Sequence, residues 1–205
     1  VSYLSVVDYK TAATQLDLTA VYYGLQLQLP VYMDAALRLY GSRHPGREVR
    51  PGGLYYFPLR ETLSEAKPGM SAGECQALQG KNARLSGLTS QELADILGDT
   101  KESGIKGLTT DSSSLTVLGR YAAGKIRDLG SSLRTGRIDI RPYRRSGETG
   151  CDYCPFRSVC GFDERIAGYG YQRLREWKQD EIWEKLTEGA AGYADEMDGR
   201  TEKDH

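Results

Sequence analysis

Three cysteines fall within ten residues of this chain: Cys151, Cys154 and Cys160, in CDYCPFRSVC. Thiolates are soft ligands suited to iron–sulfur clusters or zinc. One turn through CDYC can bring two sulfurs to a single centre. The five residues PFRSV give the third sulfur the longer reach that a larger object needs. Zinc sites more often pair two short spacings. Pro155, Phe156 and Phe162 are expected to give such a centre an apolar shell. The plain alternative is three free structural cysteines, for which so tight a cluster is unusual. A fourth cysteine, Cys75, stands far upstream in GECQAL.

A second stretch with chemical potential is VVDYKT near the start. Asp8 and Lys10 are two residues apart, so a strand projects both to one side. Asp8 offers a hard oxygen ligand for Mg²⁺. Lys10 can stabilise a phosphoryl oxygen or orient an attacking water. D-x-K by itself is a weak signal, since surface residues at a strand end read the same way. Gln28 and Tyr32, at i and i+4 in QLPVY, share one helical face and can both hydrogen-bond to a phosphate or nucleotide. The alternative is a helix whose polar positions merely interrupt a core face.

The elements that must position these residues follow from pattern. SYLSVVDYK alternates and then runs apolar, predicting a buried strand that ends near Lys10. Asp17 can cap a helix from Leu18 or Thr19 to Gly41, with Pro30 kinking it or dividing it in two. Residues 42–53 read as loop, and LYYFPLR as a strand with Pro58 at an edge or bulge. Residues 61–88 show weak periodicity and support no assignment. TSQELADILG carries a capping box from Thr89 to Glu92 and closes at Gly98. Residues 99–114 read as loop. Leu115, Leu118, Ala122, Ile126, Leu129 and Leu133 recur at helical spacing, and Gly136 ends that helix. RIDIRPY is a short extended piece, DEIWEKL a short helix, and the polar end from Gly189 a disordered tail.

Composition narrows the class. The chain has 205 residues, 39% hydrophobic and 27% charged, with a formal net charge of −1. That is enough for one domain with a substantial core. Leu118 to Cys160 holds nine Lys/Arg against four Asp/Glu, whereas Gln179 to His205 holds three against nine. The basic stretch beside the cysteines could meet phosphates or be a solvated face; the acidic end excludes that role for itself. No apolar run is long enough to span a membrane. The opening VSYLSVVDYK shows no export signal, so four cysteines point to metal or redox chemistry, not a disulfide scaffold. Opening directly in a strand without Met, the sequence reads as a piece of something larger.

VVDYKTAATQLDLTAVYYGLQLQLPVY, followed far downstream by CDYCPFRSVCGFD, closely resembles the C-terminal nuclease domains of the AddB family. Members of that family are components of bacterial AddAB helicase–nucleases, called RexAB in some lineages. The resemblance runs from residue 1 to about 186, loosely over 61–115. It implies an α/β fold: a RecB-like PD-(D/E)XK (restriction-endonuclease-like) nuclease core over 1–150, N-terminally truncated. A C-terminal iron–sulfur staple over 151–186 and a disordered acidic tail over 187–205 would follow. It implies Asp8 and Lys10 as the D-x-K, with Asp8 on Mg²⁺, and Gln28 and Tyr32 as the Q-x-x-x-Y. Cys151, Cys154 and Cys160 would hold a [4Fe-4S] cluster.

The same resemblance implies a further metal-binding carboxylate and a fourth cluster cysteine upstream of Val1. Cys75 is then a free cysteine in a variable loop, and residues 1–205 alone are expected to be inactive. The implied activity is Mg-dependent exonuclease cleavage of single-stranded DNA, acting from duplex ends with an AddA-type partner in recombinational break repair in the cytoplasm. Two other readings stay open. One is a free-standing RecB-like nuclease with a cluster, of the CRISPR-adaptation type. The other is a non-catalytic iron–sulfur DNA-binding module. A zinc-bound interaction module fits the cysteine spacing least well.

Overall fold

A computed structural model describes residues 1–11, 14–59, 84–98 and 104–201, with single positions at 71 and 73. Cys75 lies outside the described residues. A four-stranded mixed sheet has the order β1-β2-β3-β4. β1 (Ser2–Lys10) runs parallel to β2 (Val49–Pro58) and places Asp8 opposite Tyr56 and Lys10 opposite Pro58. β2 is antiparallel to β3 (Leu85–Ser90), and β3 is parallel to β4 (Ile105–Thr110).

β1 is not the buried strand that its sequence suggests. Among the described residues it pairs only with β2, so it is an edge. Its even positions face the helices, with Leu4 and Val6 packed on the core, while Val7 and Tyr9 face solvent. The apolar pair Val6-Val7 is thus split between two faces by the period of the strand. Two strands also lie in segments read as loop. β2 starts at Val49, and its Pro51–Tyr56 stretch is buried. β4 is mostly exposed, so no alternation marked it.

The helix expected over residues 18–41 is two helices. α1 (Leu18–Tyr23) is capped by Asp17, which accepts from the Ala20 amide at 3.0 Å, and ends at Gly24 with φ 84°. α2 (Gln28–Arg43) carries Pro30 in its first turn, where no intrahelical N–H is needed. The break is therefore at Gly24, not Pro30. The left-handed φ there is one that glycine adopts without a Cβ clash.

α3 (Gln91–Leu97) is capped by Ser90 through the Leu93 amide, one residue later than the capping box suggested. Thr89 is instead in the sheet, accepting from the Tyr55 hydroxyl at 2.9 Å, and Glu92 accepts from the Ser112 amide at 3.2 Å. α4 (Ser112–Arg134) buries Leu115, Leu118, Tyr121 and Ala122. Its later apolar positions Ile126, Leu129 and Leu133 project beyond the core into solvent.

A small second sheet, ordered β6-β5-β7, carries the cysteine segment. It comprises β5 (Tyr143–Arg145), β6 (Glu148–Thr149) and β7 (Gln172–Arg173), with α5 (Arg157–Cys160) between β6 and β7. α6 (Gln179–Thr201) is much longer than the expected short helix, and the tail expected to be disordered from 187 is helical through Thr201. Ile182, Leu186 and Ala190 enter the core alongside Leu18, Val21, Leu118 and Tyr121. The apolar spacing 182, 186, 190 is what makes one face of α6 stick.

Candidate active site

Where the core face of β1 gives out, its last two inward positions are Asp8 and Lys10. The Lys10 ammonium stands 2.7 Å from Asp8 Oδ2. It also donates to Gln28 Oε1 at 2.8 Å, and Gln28 Nε2 donates to the Tyr32 hydroxyl at 3.3 Å. All four residues singled out in the sequence are therefore linked side chain to side chain. The depth is graded: the Asp8 side chain is 14% exposed, Lys10 31%, and Tyr32 opens to solvent at the mouth.

The floor is Tyr56, which sequence reasoning missed. Its buried ring lies beneath Lys10, with the ammonium 5.5 Å from the ring centroid. A cation over an aromatic face is attracted by the ring quadrupole. The only signal was β2 itself, since Tyr56 is placed by its register opposite Asp8 and not by any motif.

The Asp8 carboxylate beside Lys10 holds the ammonium above the ordinary lysine pKa. Lys10 is thus a cation throughout the neutral range. Burial pushes the Tyr56 phenol up, so it stays neutral. Asp8 Oδ2 is sealed from solvent and has no hydrogen-bond donor. Its contact with Lys10 is an ion pair without hydrogen-bond alignment. A hard, shielded oxygen lacking a donor fits a divalent cation with oxygen preference. Among the described residues, no three His, Cys, Asp or Glu side chains converge on one ion position.

The second candidate site is the cysteine segment. Cys151, Cys154 and Cys160 are half-buried, form no disulfide, and line one cavity of about 360 Å³ with Arg157, Phe162 and Tyr171. The three cysteines line that one volume, with Asp163, Glu164 and Arg165 also at its wall, and soft donors around a volume fit an iron–sulfur cluster. The apolar wall differs from expectation. Phe162 supplies it with Tyr171, ring centroids 4.8 Å apart, while Pro155 and Phe156 face solvent.

The family model for the PD-(D/E)XK nuclease superfamily matches residues 2–161, a span that contains Asp8, Lys10, Gln28, Tyr32 and the three clustered cysteines. The chain belongs to that superfamily. The mixed α/β architecture with a central mixed sheet is the superfamily's fold as this chain builds it. Similar curated proteins are named as a subunit of an ATP-dependent helicase/deoxyribonuclease. The one from Moorella thermoacetica is 36% identical over 189 residues, covering 84% of this chain and 16% of the relative. That from Thermoanaerobacter sp. (strain X514) is 30% identical over 215 residues, covering 96% and 18%. That from Clostridium kluyveri is 31% identical over 206 residues, covering 91% and 18%. The chain thus spans less than a fifth of the length of these relatives. No helix among the described residues is long and apolar enough to cross a membrane.

Proposed function

We propose that this chain is the DNA-cutting domain of a helicase–nuclease, an exonuclease domain hydrolysing phosphodiester bonds of single-stranded DNA at Asp8. The observation that carries this reading is the unbroken contact chain from Asp8 through Lys10 and Gln28 to Tyr32. Superfamily membership and relatives named for a deoxyribonuclease support it.

Asp8 would hold Mg²⁺, which binds proteins through one or two carboxylates and completes its shell with waters and substrate phosphates. Bound there, the cation supplies water activation and charge neutralisation at the scissile phosphate. The chain's own groups do the rest. Lys10, kept cationic by Asp8, sets a positive charge where phosphoryl oxygens would gather negative charge. Gln28 fixes the direction of that ammonium, because its two amide ends are committed to Lys10 and Tyr32. By accepting from Gln28, the Tyr32 hydroxyl keeps its own proton for a phosphate oxygen. Its exposed ring also offers a stacking face for a base.

Cys151, Cys154 and Cys160 would hold a [4Fe-4S] cluster, with a fourth thiolate from the same polypeptide upstream of Val1. A cluster joining distant segments restricts the unfolded chain over a long loop. The proposed setting is a complex with an AddA-type helicase–nuclease partner, acting at duplex ends in recombinational break repair in the cytoplasm.

The test is strand-specific degradation of a linear duplex by the intact protein, end-labelled on each strand in turn. Asp8→Ala should abolish cutting of the strand handled by this domain while unwinding continues. An Asp8→Ala protein that trims both strands at the wild-type rate would leave a non-catalytic DNA-binding module as the better reading.

A further inference from the structure

We infer that Arg145 is a positioning residue for the active site: it locks the cysteine-bearing segment onto α1 and so fixes where α2 presents Gln28. The inference rests on the nuclease reading of the Asp8 site.

Arg145 ends β5, just before the cysteines, and its side chain is 17% exposed. Its Nη2 meets two carboxylates from distant parts of the chain, Asp17 Oδ2 at 2.6 Å and Glu176 Oε2 at 2.7 Å. A largely buried guanidinium is held only where such partners are in place. Glu176 above all holds Arg145 above the ordinary arginine pKa, and Arg145 in turn lowers that of Glu176. The Glu176 pair is therefore ionised through the neutral range.

Asp17 is fully committed. Its Oδ1 caps α1 through the Ala20 amide, and its carbonyl accepts from Val21 at 2.9 Å. Its own amide donates to Gln26 Oε1 at 3.0 Å. Gln26 Nε2 then donates to the Gln15 carbonyl at 3.2 Å. Gln26 lies in the turn between α1 and α2, and α2 opens with Gln28, which holds Lys10.

The other end of α1 is gripped from the same side. The Tyr23 hydroxyl lies 3.1 Å from the Arg175 amide and 3.2 Å from Trp177 Nε1, both of which donate to it. Residues 175–177 thus straddle α1, with Glu176 reaching its N-cap through Arg145. A helix of six residues has no independent stability, so its pose is set by what holds its ends and its buried face.

The experiment measures DNA cleavage at saturating substrate in the intact protein for Arg145→Gln, Glu176→Gln, Gln28→Ala and the double variant Arg145→Gln/Gln28→Ala, with Asp8→Ala as the blank. Hydrogen exchange is followed at the Ala20 and Leu25 amides. A misplaced catalytic group costs on the order of ten- to a hundredfold in rate. Arg145→Gln should lose at most the roughly tenfold that removing Gln28 costs, Glu176→Gln a smaller part of it, and both should speed exchange at Ala20 and Leu25. The double variant should be no slower than Gln28→Ala, because both changes remove one function.

Losses that multiply in the double variant, or unchanged exchange in both single variants, would overturn the inference. If Arg145→Gln fails to fold, Glu176→Gln decides alone: wild-type rate and exchange there count against it. Cutting by Asp8→Ala of the strand handled by this domain would remove the nuclease reading itself, and this inference with it.

Discussion

The Lys10 ammonium donates to Gln28 Oε1 across 2.8 Å, tying the last residue of β1 to the first residue of α2. A positive charge aimed by an amide is pre-organised, and pre-organised charge is worth most where a transition state gains charge. Lys10→Ala should therefore cut the cleavage rate on the order of 10²–10³-fold, the range for losing such a donor. It should still require Mg²⁺, because the Asp8 carboxylate is retained. Gln28→Ala should be milder, on the order of tenfold, since Asp8 still restrains the ammonium. Rates measured across a Mg²⁺ titration check both. A Gln28→Ala loss as large as that of Lys10→Ala would assign Gln28 a direct role.

For the cysteines the expected outcome is spectroscopic. Anaerobically purified intact protein should show visible iron–sulfur absorption, and Cys154→Ala should bleach it. The same change should weaken binding to DNA ends, because the segment around the basic β5 strand loses its anchor. Iron and zinc analysis decides: stoichiometric zinc without iron contradicts the cluster.

Much of the site was legible because its signals are local. D-x-K at a strand end and Q-x-x-x-Y on a helix depend on spacings of two and four residues, which backbone geometry fixes. The fold was legible where periodicity held, as over Leu115–Ala122, and failed where tertiary placement decided. Val6-Val7 looks the same in a buried strand as at an edge. Thr89 and Ser90 are both good caps, and the Tyr55 hydroxyl takes Thr89 for the sheet. Nothing in RPYRRSGE marks Arg145 among its neighbouring arginines, because its partners lie 128 and 31 residues away.

Asp111 carries a pH-dependent share of stability. It caps α4, accepting from Ser113 Oγ, from the Ser114 amide at 2.8 Å and from Ser114 Oγ at 2.7 Å. Those donors, Ser113 first, lower its pKa from 3.8 to about 2. A depressed carboxylate stabilises the fold above its unfolded pKa, and the contribution is lost as pH falls through the folded value. Asp111→Ala should cost about 1 kcal/mol near neutral pH. Urea unfolding should show that gap closing between about pH 4 and about pH 2. A gap that persists undiminished at the acid end would show that the cap does not work through its charge.

α6 offers a paired test of packing. A Cβ at Gly189 would stand 2.5 Å from the Tyr121 ring. That ring is buried and its hydroxyl is fixed to the Tyr22 carbonyl at 2.7 Å, so it has nowhere to go. Gly189→Ala should destabilise by about 1–3 kcal/mol, the usual cost of overpacking. Gly192, in the same helix, has nothing within 4 Å of a Cβ. Gly192→Ala should stabilise by roughly 0.5–1 kcal/mol through helix propensity. Thermal unfolding of the two variants should move in opposite directions.

The grip of residues 145 and 175–177 on α1 also sets a schedule. Asp8 and Lys10 leave the ribosome well before the groups that complete their surroundings. The residues that hold Asp17 and Tyr23 follow those two positions by 128 to 154 residues, and Ile182 and Leu186 of the shared core come later still. Contacts between such distant positions close late and slowly. A chain still being translated therefore carries the acid and the lysine without the α1 pose that aims Gln28. The geometry of the proposed site is completed only after the cysteine segment has been made, so synthesis itself delays the moment at which that site is whole.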